Sequence, residues 1–114
     1  MPLAFGSDCP VESSDPRFGL FAAITRTDQA GKPPGGWLPE QRLTTAEALQ
    51  QFTRGAAYAA FEEEWRGELR PGQVADFTVF DGPFDTPEHI LQRKVLMTVV
   101  AGRVVYEAKP EPRL

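Results

Sequence analysis

The sequence predicts an α+β fold in which one strand is followed by helices and then by further strands. Three observations predict it. An apolar run near the amino terminus ends in Gly-Ser-Asp, apolar residues recur at helical spacing between about residues 16 and 61, and two β-branched stretches near the carboxyl end are separated by two residues.

The first run, Pro2-Leu3-Ala4-Phe5-Gly6-Ser7-Asp8, has the pattern of a buried strand leading into a loop. Pro16 fits the first turn of a helix over about Pro16 to Thr27, where Phe18, Phe21, Ala22 and Thr25 recur at helical spacing. From Asp28 to Gln41 the density of Gly and Pro predicts a long surface connection. Thr44 and Glu47 then form a capping-box pair, each side chain placed to satisfy an orphan amide at a helix start. Leu49, Phe52 and Ala56 continue the apolar side of that helix. Gly55 interrupts the pattern, which predicts two short helices or one bent helix ending near Glu62-Glu63-Glu64.

Arg70-Pro71-Gly72-Gln73 signals a turn, after which Ala75, Phe77 and Val79 alternate with Asp76 and Thr78 as in a half-buried strand closing at Asp81-Gly82-Pro83. Val95 to Val100 and Arg103 to Tyr106 flank Ala101-Gly102, the spacing of a tight hairpin in which Gly supplies positive φ. The tail from Lys109 to Leu114 is expected at the surface.

The chain has 114 residues, the size of one ordinary domain and less than half of the roughly 250 that a closed (β/α)₈ barrel needs. A whole barrel is excluded. With 41% hydrophobic and 25% charged residues and a formal charge of -4, the chain carries no electrostatic footprint for nucleic acid or an anionic membrane. Cys9 is the only cysteine, so no intramolecular disulfide can form, and a reducing, cytoplasmic setting is expected. No leader or membrane-spanning run is evident.

Few residues stand out for chemistry on their own. Asp8, between Gly-Ser and Cys-Pro, reads most simply as a loop or helix-capping residue. Cys9 has no evident partner base and reads as a buried or semi-buried thiol rather than a nucleophile. His89 has no second histidine with which to build a metal pair, and reads as a surface or helix-start residue. Glu62-Glu63-Glu64 reads as a solvated charge run. Trp37 fits either a substrate pocket or a loop anchor.

Three stretches in order carry a resemblance: residues Phe5 to Val11; Leu43 to Leu49 with Thr53, Ala56 and Ala57; and Gly67 to Asp81, closed by Val99 to Tyr106. Over about residues 3 to 107 the chain resembles the carboxy-terminal part of the metal-dependent amidohydrolases of family 3, the YtcJ-like and N-substituted formamide deformylase-like enzymes. The resemblance implies the last strand and helices of a (β/α)₈ barrel followed by strands of a small composite β-sandwich. Residues 1–66 would be the barrel segment, with Leu3 to Ser7 as its eighth strand. Residues 67–109 would be the sandwich segment with the closing hairpin, and 110–114 a tail.

The resemblance also gives Asp8 a role. It matches the family's aspartate after the last barrel strand, which contacts the metal and takes a proton from the metal-bound water. Asp8 is therefore the expected catalytic and metal-binding residue. Zinc or another divalent ion is implied for the complete enzyme, whose reaction would be hydrolysis of carbon–nitrogen bonds of the amide or formamide type. The family's histidines and bridging residue have no counterparts here. The chain alone is expected to bind no metal tightly and to be inactive, its partners being the missing amino-terminal barrel portion or a second copy of itself. A non-enzymatic α+β module that self-associates or binds protein is the second expectation, with Phe5, Phe18, Phe21, Phe77 and Tyr106 in a shared core. An independent hydrolase using Asp8, Glu12 and Cys9 is the third.

Overall fold

The computed structural model describes residues 1–112 as four short helices and one three-stranded antiparallel sheet. Helix α1 spans Pro16–Thr25. Asp15 caps it by accepting the Arg17 amide at 3.0 Å, and Pro16 occupies the first turn, where a missing N–H costs no helical bond. The Arg17 guanidinium folds back on the Asp15 carboxylate, with Nη2 2.6 Å from Oδ2, and its other arm donates to the Arg93 carbonyl. One side chain thus ties the start of α1 to the end of α4, which spans Pro87–Gln92.

The Arg17 hydrogen bond holds the Asp15 carboxyl below its ordinary value of 3.8, against a smaller opposing effect of burial. A carboxyl depressed in the folded state contributes stability that is fully present above its unfolded value and is lost as pH falls through the folded one. Acid from about pH 4 downward is therefore expected to remove this contribution. Asp15→Ala should cost about 1 kcal/mol at neutral pH. Urea unfolding followed by circular dichroism at neutral and acid pH checks both, and the variant's deficit should shrink in acid.

The long connection after α1 is held at the surface by its own hydrogen bonds, with a single 3₁₀ turn at Pro39–Gln41. Trp37 anchors it: its amide donates to the Arg26 carbonyl at 2.8 Å, and the Arg26 guanidinium lies 5.0 Å from the indole centroid. Leu43 then returns to α1, donating to the Ala23 carbonyl at 3.0 Å.

Helix α2, Thr45–Phe52, starts at the expected capping box. The Thr44 hydroxyl accepts the Glu47 amide at 3.2 Å, and the Glu47 carboxylate accepts the Thr44 amide at 2.7 Å. Those donors hold the Glu47 carboxyl below its ordinary range. Helix α3, Arg54–Ala59, follows after a break at Thr53, whose φ of -114° and ψ of -84° leave the helical region. The break precedes Gly55, which serves another purpose: a Cβ there would collide with the Leu3 carbonyl. Beyond α3 the Glu62–Arg66 ion pair, 3.3 Å apart, takes one member of the glutamate run, while Glu63 and Glu64 stay exposed.

Leu3 to Ser7, expected as a buried strand, is not one in this structure. The segment lies along α2 and α3 with most of its residues exposed, and the Phe5 amide donates to the Gln51 carbonyl at 3.1 Å. A strand exists only through a neighbour's ladder of hydrogen bonds, and none of the described strands lies beside it. The Phe5 ring packs edge-on against Phe52, with centroids 5.5 Å apart, so part of its apolar character is used against a helix instead.

The sheet has the order β1-β2-β3, with β1 at Phe77–Phe80, β2 at Val95–Val100 and β3 at Arg103–Glu107. The β2–β3 turn is the expected Ala101-Gly102, and both residues take positive φ, 51° and 75°, as a type I′ turn requires. Alanine is strained there. Ala101→Asn is expected to raise stability by up to about 1 kcal/mol, measurable as a higher Tm. In β1 the alternation fails: a register shift between Val79 and Phe80 leaves Val79 exposed and turns Phe80 onto Phe84, with centroids 4.8 Å apart.

The core is small. Leu20, Ala48 and Ile90 form its buried centre, with Ala23, Ile24, Leu43, Leu49, Phe52 and Phe84 packed around them. Phe84 belongs to this cluster and touches Phe80, which links the helices to the sheet. The accessible surface is 8493 Å², whereas a folded monomer of 12.6 kDa is expected to expose about 6200 Å². The radius of gyration, 15.4 Å, likewise exceeds the roughly 13 Å of a compact domain this long. Phe61, Leu69, Val104, Val105 and Tyr106 are among the exposed apolar side chains. Of the tail, Lys109 to Pro112 are exposed, and Arg113 and Leu114 lie outside the described residues. No helix among the described residues is long and apolar enough to cross a membrane.

Candidate functional site

Asp8 sits in a tight turn between the amino-terminal segment and α1. Its carbonyl accepts the Val11 amide at 2.9 Å, and the Ser7 carbonyl accepts the Glu12 amide at 3.3 Å. The residue takes φ of 51°, a left-handed conformation that costs most L residues about 1–2 kcal/mol and that Asp tolerates better than most. Asp8 is exposed, and among the described residues its carboxylate has no hydrogen-bond or ion-pair partner. It caps no helix; the cap of α1 is Asp15.

A groove of about 370 Å³ opens beside this turn. Phe18, Phe21 and Phe52 contribute apolar surface to it, and Ser7, Glu12 and Asp28 contribute polar groups. Phe21 is 8% exposed, so the α1 face beneath the groove is packed against the rest of the chain. These lining residues were not among the sequence-predicted site residues. The helical spacing of Phe18 and Phe21 gives the signal for a shared helix face, but an apolar face reads first as core.

Cys9, next to Asp8, is exposed, which corrects the expectation of a buried or semi-buried thiol. The Asp8–Val11 turn holds it at the surface, with no apolar layer over it. His89 is half-buried in the first turn of α4, where its amide donates to the Thr86 hydroxyl at 3.4 Å, so the helix-start reading describes it. Trp37 anchors its loop, as its contact with Arg26 shows.

A hydrolytic zinc site usually takes about three protein ligands and a water. Among the described residues no group of three or more His, Cys, Asp or Glu side chains stands close enough to hold an ion. Asp8 offers one carboxylate, and Glu12 is the only other acid within four positions of it in sequence. The residues described here do not by themselves fit a metal centre.

Comparison with known proteins supplies the context for this turn. The chain is 34% identical over 106 residues to the amidohydrolase YtcJ of Bacillus subtilis (strain 168), which is 91% of this chain and 20% of YtcJ. It is 34% identical over 105 residues to the protein LONG AFTER FAR-RED 3 of Arabidopsis thaliana, 91% of this chain and 18% of that one. It is 30% identical over 107 residues to the N-substituted formamide deformylase of Arthrobacter pascens, 92% of this chain and 19% of that enzyme. The chain thus spans about a fifth of the length of these relatives. In structure it is similar to E. coli guanine deaminase, with a TM-score of 0.68 and 21% identity, over 96% of this chain and 28% of the deaminase. A model described as the amidohydrolase family matches residues 1–106. The chain therefore belongs to the amidohydrolase family, within its family 3.

Proposed function

We propose that this chain acts as the carboxy-terminal part of a metal-dependent amidohydrolase that cleaves amide or formamide-like carbon–nitrogen bonds, and that it is inactive by itself. In this reading residues 1–66 supply the last strand and helices of a (β/α)₈ barrel, residues 67–109 supply strands of the composite β-sandwich, and 110–114 form a tail. The observation that carries the reading is the match to the amidohydrolase family over residues 1–106, joined to an exposed surface well above that of a self-sufficient domain. In this reading the rest of the enzyme would cover the exposed apolar side chains and pair the Leu3 to Ser7 segment.

Asp8 is the residue assigned to the chemistry. A free carboxylate in a turn, uncommitted to any cation of its own chain, suits a group that takes a proton from an attacking water and returns it to the departing nitrogen. The divalent ion of the complete enzyme, zinc or another, would be held by donors outside the described residues, with Asp8 as one further contact. Phe18 and Phe21, in the groove that Ser7 and Glu12 of the same turn also line, suit an apolar substituent on the substrate nitrogen.

Hydrolysis of a simple N-substituted formamide, measured with the chain alone and after adding a polypeptide that bears the remaining barrel strands, tests the proposal. Turnover is expected only in the mixture, and only with a divalent ion. Full activity of the chain alone would refute it. The reading as a non-enzymatic module rests on a different feature, the wholly exposed strand β3.

A further inference from the structure

We propose that Phe52, seated in the room left by Gly19, is the positioning residue for Asp8 and fixes where the turn carrying that carboxylate stands. The role rests on the reading of Asp8 as the proton acceptor of the reaction. Among the described residues the Asp8 carboxylate has no hydrogen-bond or ion-pair partner, so no side chain of its own chain steers it. Its place is set by the backbone that leads to it.

That backbone is held against α2 and α3. The Phe5 amide donates to the Gln51 carbonyl at 3.1 Å, and the Phe5 ring stands edge-on to Phe52, the next residue of α2, with centroids 5.5 Å apart. In α3, Gly55 admits the Leu3 carbonyl, which a Cβ would strike. Phe5 and Ser7 are the half-buried residues of the Leu3 to Ser7 segment, and Asp8 follows directly. Ser7, Gly19 and Phe52 line one groove, so the seat and the turn face the same space.

Gly19 gives the seat its depth. It lies inside α1, and its φ is not positive, so the freedom peculiar to glycine is not used there. In a helix interior glycine is a poor choice on propensity alone. What it supplies is room: a Cβ at Gly19 would stand 2.7 Å from Phe52 Cζ, closer than packed carbons approach. Phe52 also packs on the Leu20, Ala48 and Ile90 centre, and Phe5 lies against its ring, so a push from Gly19 is passed to Phe5. A displacement of about 1 Å at a reacting group can cost about 10²-fold in rate.

Two substitutions disturb the seat from opposite sides. F52L removes the ring that meets Phe5, and G19A leaves the ring but takes its room. L49V is the control, a change in the same helix and the same core cluster. In the chain alone, the Val11 and Glu12 amide resonances, which report the closed turn, should shift in F52L and G19A and stay in place in L49V. In the chain combined with a polypeptide bearing the remaining barrel strands and a divalent ion, F52L and G19A should each lower kcat for an N-substituted formamide by about tenfold or more. Introduced on top of D8N, the same two changes should cost little more, because both act through the one carboxylate. A role in folding or in substrate binding would persist in the D8N background. Turn amides that stay in place in both variants, or a loss of kcat retained in full beside D8N, would overturn the proposal. A wild-type pair without turnover, or turnover indifferent to D8N, would strike the role of Asp8 instead, and the turn amides would then decide whether Phe52 sets its place.

Discussion

Asp8→Asn, in the chain combined with the rest of its barrel, is expected to lower hydrolysis of an N-substituted formamide by about 10²- to 10⁴-fold, the usual contribution of a positioned general base. The substitution is chosen for its backbone. Asn tolerates the left-handed conformation that Asp8 holds at φ of 51°, so the turn closed by Val11 and Glu12 should persist. The amide keeps the volume and loses the proton acceptor. Stability should be unaffected within about 0.5 kcal/mol, because the carboxylate is exposed and unpartnered among the described residues. A loss of turnover with an unchanged urea midpoint is the signature of a chemical role. A parallel loss of both would point to a structural one.

Ile90→Ala should have the largest effect on folding. Ile90 is fully buried, with 0% of its surface exposed, and it stands with Leu20 and Ala48 at the centre of the helical cluster. Truncating a buried aliphatic side chain costs about 2–5 kcal/mol, from lost transfer energy and the cavity left behind. In a chain with so few buried apolar residues, that is comparable with the entire margin of a small domain. The urea midpoint should fall sharply, or the chain should lose its cooperative transition in near-ultraviolet circular dichroism. Val105→Ala, by contrast, removes an exposed side chain and should change the monomer's stability little.

What could be read from sequence alone was decided by local chemistry. The Thr44–Glu47 box, the Pro16 helix start and the Ala101-Gly102 turn each depend on a few adjacent residues, and each is present. Leu3 to Ser7 has a strand's pattern but forms no strand among the described elements, because a strand is a property of two segments and the pattern of one carries no record of the other. The core position of Ile90 is not legible from periodicity because α4 is only six residues long; its signals in the sequence are the Thr86 cap and Pro87. The break before α3 falls at Thr53 rather than at Gly55, since Gly55 is needed where the Leu3 carbonyl approaches.

The candidate site divides the same way. Asp8 came from a motif resemblance, and nothing in its immediate chemistry marks it, because its carboxylate contacts no other group of the described chain. The groove beside it depends on how α1 and α2 pack, which joins Phe18 and Phe21 to Phe52. The exposure of Cys9 has a related reason. Burial is decided by what covers a residue, and over this turn nothing in the described chain does.

The most direct test of the account is equilibrium dialysis against zinc, comparing this chain alone, this chain with the remaining barrel, and the same pair carrying Asp8→Asn. The account predicts no stoichiometric ion on the lone chain, a bound ion in the pair, and weaker retention once the carboxylate is gone. One tightly held ion per lone chain, indifferent to Asp8→Asn, would contradict it.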